Sequence, residues 1–158
     1  MRPHMNRPSR PTYFAPSRCR LFIALIVCAT CGWLTSARAD VVVVVSVRSA
    51  VATLKAEQVA EIFLGKRLAY PDGADAVPID QPENSIIRDL FYTTLTGKTP
   101  ALLKAYWSKL LFTGQGQPPR EVASAEAVKK LVASNAKFIG YLDKDALDEN
   151  VKVVFTPK

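Results

Sequence analysis

The chain has 158 residues, with 21 Lys plus Arg against 14 Asp plus Glu, for a formal net charge of +7. Six of those bases, all three cysteines (Cys19, Cys28, Cys31) and the single histidine, His4, lie in residues 1–39. From Asp40 onward 15 bases face 14 acids with no Cys and no His, which excludes disulfides, thiolate or His-ligated metal sites and Ser-His-Asp hydrolysis there, and leaves no basic excess to suggest nucleic-acid binding.

The N-terminal region reads as an export signal. A basic stretch (Arg2, Arg7, Arg10, Arg18, Arg20) precedes an apolar run from Leu21 to Leu34, and Ala37-Arg38-Ala39 supplies the small side chains that a signal peptidase accepts. The apolar run falls short of the roughly 20 residues that a membrane span needs, so cleavage before Asp40 is expected in preference to a retained anchor. Cys31 ends an apolar run as a lipoprotein cysteine does, but Thr30 before it is bulky for that processing. Cleavage leaves 119 residues, the size of one domain, in the periplasm.

Val41 to Val47 is β-branched except at Ser46, and an apolar run without alternation predicts a strand covered on both faces. Whether it pairs within the chain or across a homodimer is open at this level. Leu54, Val59, Ile62 and Phe63 fall at helical spacing, with Thr53 as the N-cap and Gly65 as the left-handed stop. Tyr70-Pro71-Asp72-Gly73 is turn chemistry. A short strand follows over Ala76 to Asp80, where Pro78 predicts an edge position or a bulge. A second helix runs from Ser85 to Leu95 with Ile86, Leu90, Phe91 and Leu95 on its apolar face, closed by Gly97. Thr99-Pro100 opens a third helix through Leu102, Leu103, Tyr106, Trp107 and Leu110. Phe112 to Pro119, with two glycines and two prolines, predicts a loop. Ser124 caps a fourth helix with Val128, Leu131 and Val132 inward and Asn135 as its stop. Phe138 to Leu142 and Val151 to Phe155 are the last strands. The order β, α, β, α, α, α, β, β predicts an α/β fold, a sheet with helices on its faces.

Gln58-Val59-Ala60-Glu61-Ile62-Phe63-Leu64-Gly65-Lys66 and Phe138-Ile139-Gly140-Tyr141 together resemble two signatures of periplasmic phosphate-binding proteins, the substrate receptors of phosphate ABC transporters. The resemblance spans residues 41 to 155. It implies a single lobe of the type II periplasmic-binding-protein fold with a central mixed sheet, a non-enzymatic role and no cofactor. It also implies phosphate or a similar small oxyanion as ligand, and a membrane transporter or another envelope protein as partner.

In that family phosphate rests on a strand-to-helix turn bearing an arginine followed four residues later by Ser-Gly-Thr. The matching stretch is Gln81-Pro82-Glu83-Asn84-Ser85-Ile86-Ile87-Arg88. Ser85 keeps the serine, whereas Gln81 replaces the arginine, and Ile86 and Ile87 replace glycine and threonine. The candidate ligand-binding residues are therefore Ser85, Gln81, Asn84 and Arg88 at a helix N-terminus, with Thr113 and Gly114 from the glycine-containing loop. Each has a structural alternative. Ser85 caps a helix, Arg88 pairs with Asp80 or Asp89, and the loop is a connector. Glu83 and Asp80 stand beside the proposed anion and repel it, and their structural alternative, the favoured one, is to stabilise the positive end of the following helix. Glu57 and Glu61 read as a solvated helix face, and no carboxylate pair suggests hydrolysis. Two functions remain from different classes, an oxyanion-binding module and a receptor lobe turned protein-interaction or sensory accessory module, with an enzyme third.

Overall fold

The computed structural model describes residues 40–157, so the export signal and its cleavage site at Ala39 lie outside the described residues. The elements are β1 (Val41–Ser46), α1 (Ala56–Phe63), β2 (Val77–Asp80), α2 (Ile86–Thr96), α3 (Pro100–Phe112), β3 (Arg120–Glu121), α4 (Ala125–Ser134), β4 (Phe138–Asp143), a single 3-10 turn (Lys144–Ala146) and β5 (Val151–Phe155). One five-stranded mixed sheet runs in the order β3-β2-β4-β1-β5. β1 is antiparallel to both β4 and β5, whereas β2 is parallel to β4 and to β3.

β1 is the interior strand that its composition predicts. All six of its residues are buried, and both its neighbours come from the same chain, so it is not free to pair with a second copy. The valines divide between two cores. Val41, Val43 and Val45 face α1, α2 and α3 through Val59, Ile62, Phe63, Phe91, Leu103 and Trp107. Val42 and Val44 face α4 through Val128 and Val132, joined by Ile79 and Leu142. A period-two element with an apolar residue at every position is what a two-sided core requires.

Helix ends follow local chemistry. Ser85 Oγ accepts from Arg88 N at 3.3 Å, Thr99 Oγ1 from Leu102 N at 3.4 Å and Ser124 Oγ from Ala127 N at 3.2 Å, each capping its helix as the sequence predicts. Gly65 and Gly97 take left-handed φ values of 68° and 67°. The first helix is shorter than expected. Its N-cap is Lys55, whose backbone N–H donates to Gln58 Oε1 at 2.8 Å, because Leu54 N is already committed to Val154 O of β5. Thr53 therefore lies before the helix.

Three further differences have physical reasons. β3, two residues long, forms at the end of the expected loop, where Ile79 and Asp80 pair with Arg120 and Glu121. Pro78 then sits in an interior strand. Val77 N donates to Lys137 O toward β4, so Pro78 faces the other way, along a stretch that β3 is too short to cover, and no ladder donor is lost. On α2 the buried residues are Phe91 and Tyr92, with Ile87 and Leu95 packed against the core, and Ile86 and Leu90 are exposed. Tyr92 draws the helix face round by one position because its hydroxyl has a buried partner, described below.

α4 lies directly on β4 at Gly140. A Cβ there would stand 2.5 Å from Val128 Cγ1 and 3.0 Å from Val132 Cγ2. Gly140→Ala is therefore expected to overpack this contact and lower stability by about 1–3 kcal/mol. The measurement is the urea midpoint, at unchanged m-value.

Candidate functional site

Three elements converge at the C-terminal end of β2. β2 ends on Asp80, 2% exposed, and the chain continues into Gln81, 3% exposed. α2 begins at its Ser85 cap and presents Arg88 and Tyr92 one turn apart on the same face. β4 contributes Tyr141, whose ring stacks on Phe91 with centroids 4.0 Å apart and is edged by Phe63.

The Asp80 carboxylate collects four donors. Oδ2 accepts from Arg88 Nε at 3.2 Å and from the Tyr92 hydroxyl at 3.0 Å. Oδ1 accepts from Gln81 N at 2.9 Å and from the Tyr141 hydroxyl. The Gln81 amide is also committed at both ends, as Nε2 donates to Tyr141 O at 3.0 Å and Oε1 accepts from the Ser85 hydroxyl at 2.8 Å. Burial and then the Asp80 charge push the Tyr92 and Tyr141 hydroxyls well above the ordinary tyrosine value, so both remain protonated donors. For Arg88, burial works against the charged form, but Asp80, together with Tyr92 and Tyr141, offsets it and the guanidinium is held above its usual value.

Beside this network lies a cavity of about 430 Å3 between α2, α3 and β3. Leu103, Trp107, Leu111, Pro118 and Pro119 supply its apolar walls. Asp80, Glu83 and Glu121 meet it with negative charge, and Arg88 and Lys104 with positive. Trp107 is 5% exposed, and its Nε1 is the one fully buried side-chain polar atom without a hydrogen bond among the described residues. Close by in sequence, Leu111 is half-exposed and Phe112 is 94% exposed at the end of α3.

The structure thus brings Gln81, Ser85 and Arg88 together, each with a partner inside the protein. Asn84 is exposed in the turn before α2. Thr113 and Gly114 finish α3. The Thr113 hydroxyl donates back to Lys109 O at 2.9 Å, Gly114 adopts φ 66°, and neither lines the cavity. Sequence reasoning named Asp80 as a partner for Arg88 but missed Tyr92, Tyr141 and the cavity wall around Trp107. The i, i+4 spacing of Arg88 and Tyr92 was the signal available.

No protein-family model matches this sequence, and no curated protein does. Eight solved chains match in structure. An ABC-type phosphate transport receptor from Vibrio cholerae aligns with TM-score 0.58 and 18% identity over 73% of this chain and 45% of its own. A putative phosphate ABC transporter substrate-binding protein from Clostridium perfringens, solved with bound phosphate, gives TM-score 0.57 and 22% identity over 73% and 44%. A possible phosphate-binding protein from Planctomyces limnophilus gives 0.55 and 12% over 73% and 40%. This chain has the fold of a phosphate-receptor lobe. It spans less than half the length of the solved receptors it matches. The receptor-like lobe holds the mixed sheet and flanking helices that the resemblance implies, with Asp80 at the head of α2.

Arg88→Ala leaves the buried Asp80 carboxylate without its countercharge, and is expected to cost about 3–5 kcal/mol in chemical denaturation. Tyr92 and Tyr141 hold their protons more tightly in the folded lobe than in the unfolded chain, where the value is about 10. Their share of stability is therefore complete below that pH and lost as pH rises beyond it. Tyrosinate absorbance from this pair should appear together with alkaline unfolding, followed by circular dichroism, and not ahead of it.

Proposed function

We propose that this chain is an exported, non-enzymatic binding module on a receptor lobe, which docks on an envelope protein, a transporter or a sensor, and does not sequester free phosphate. Export to the periplasm is supported by the Leu21 to Leu34 run and the Ala37-Arg38-Ala39 site. A non-enzymatic role is supported by the receptor fold and by the lack of His and Cys from residue 40 onward.

The observation that carries the reading is the pairing of Arg88 with Asp80 at 3.2 Å, with side chains 11% and 3% exposed. An incoming phosphate must displace a buried carboxylate held by four donors, and meets Glu83 and Glu121 at the same mouth. The lining carries three acids against two bases over an apolar floor. Its complement is a polypeptide segment with an apolar side chain flanked by bases, which places the apolar group against Trp107 and Leu111 and its cations near Glu83 and Glu121. Leu111 and Phe112 extend an apolar surface beyond the cavity.

A second reading, a phosphate-like oxyanion held at the α2 end by Arg88 with Ser85, Gln81 and Asn84, is favoured by one feature. Arg88 reaches Asp80 through Nε, and Arg88 and Lys104 both line the cavity. Calorimetric titration with inorganic phosphate separates the two. The docking reading expects no saturable heat from the folded protein. Saturable binding that is lost in both Ser85→Ala and Arg88→Ala overturns it in favour of an oxyanion receptor. Trp107 is the only tryptophan from residue 40 onward, so its emission reports on the cavity. A blocked pentapeptide alternating lysine and leucine should shift that emission saturably, and its glutamate–leucine counterpart should not. Equal responses to the two peptides remove the assignment of a basic, apolar partner.

A further inference from the structure

We propose that the end of β2 is an anion-binding site whose ligand is carried in cis: the Asp80 carboxylate occupies it permanently. The inference deepens the docking reading and rests on it in one respect, that free phosphate does not enter. Four donors reach the two carboxylate oxygens from three different elements, Gln81 N from the end of β2, Arg88 Nε and the Tyr92 hydroxyl from α2, and the Tyr141 hydroxyl from β4. A surface carboxylate that merely favours a helix N-terminus shares its lone pairs with water. Asp80 is 2% exposed, and four protein donors meet its two carboxylate oxygens.

Each donor has a further hold besides the carboxylate it serves. Tyr141 is fixed by its stack on Phe91 and by its place in the central sheet, where it pairs with Val43. Tyr92 lies edge-on to Phe91, and Arg88 stands over the Tyr92 ring at 5.6 Å. Gln81 N is placed by the Gln81 side chain, which bridges Tyr141 O and Ser85. Removing the Asp80 side chain therefore leaves a preformed cradle with a cation and three neutral donors, of the size of one carboxylate group. The ligand class that fits it is a small planar monocarboxylate, formate first and acetate next. Carrying the anion on the chain fixes its effective concentration far above any free solute and makes the lobe's charge state independent of the phosphate around it.

The test is chemical rescue of Asp80→Ala in the purified protein, with Asp80→Asn as the variant that keeps the volume filled. Thermal unfolding is followed against sodium formate, with sodium chloride at equal ionic strength as reference. The proposal expects Asp80→Ala to gain about 5 °C or more at about 100 mM formate, saturably, with a smaller gain from acetate. The unsubstituted protein and Asp80→Asn should show no difference between the two salts. If Asp80→Ala does not fold in chloride, recovery of its circular dichroism spectrum in formate is the supporting result. A flat formate response of folded Asp80→Ala, an equal response of the unsubstituted protein, or failure to fold in formate overturns the proposal. Rescue that succeeds while the unsubstituted protein binds phosphate overturns the docking reading and leaves the Asp80 cradle standing.

Discussion

Asp80 is a carboxylate withdrawn from water, and withdrawing a charge costs several kcal/mol unless its neighbours replace every lost hydration bond. Much of the lobe's geometry answers that demand. α2 enters with Arg88 and Tyr92 turned inward, which brings Tyr92 into the core and leaves Ile86 and Leu90 outside. β4 turns the Tyr141 hydroxyl toward the same point, and the aromatic cluster of Phe63, Phe91 and Tyr141 supports it from below. Gln81 ties β2 to β4 with its side-chain amide. The two sides of the sheet are apolar and tolerant of volume-conserving exchange, whereas this corner is polar and has a single solution.

The fold was largely legible because its strongest signals are local or periodic. A run of valines marked the central strand, Ser85, Thr99 and Ser124 marked three helix starts, and Gly65 and Gly97 marked two stops. What escaped was decided by tertiary pairing. β3 is too short to carry a period and exists because β2 offers it free backbone groups. The start of α1 moved to Lys55 because β5 claims Leu54, a residue about one hundred positions away in the chain. The inward face of α2 could not be read from apolar residues, since the residue that sets it, Tyr92, is buried for the sake of its hydroxyl.

The site was legible in its members more than in their roles. Gln81, Ser85 and Arg88 do meet, because a strand end followed by a capped helix brings residues at i, i+4 and i+7 to one place. Their chemistry turned on a carboxylate one residue earlier, which from sequence alone reads as a repulsive neighbour of the anion or as a charge at the start of the next helix. Distinguishing a carboxylate that repels a ligand from one that replaces it requires knowing where it points. Thr113 and Gly114 followed a different logic, since glycine and a hydroxyl after a helix serve its C-terminus as readily as a ligand.

The position of β1 also bears on when the molecule takes shape. Residues 41–45 pair with residues 139–143, and residues 43–46 with residues 151–155, so the centre of the sheet joins the two ends of the described chain. Contacts of that separation are the slowest to form, because a long loop must close before any of them is gained. A ribosome releases this sequence with its first strand waiting for its last two. The valine strand has no partner until residues 139–155 are made, so the centre of the sheet is the last part of the lobe to close.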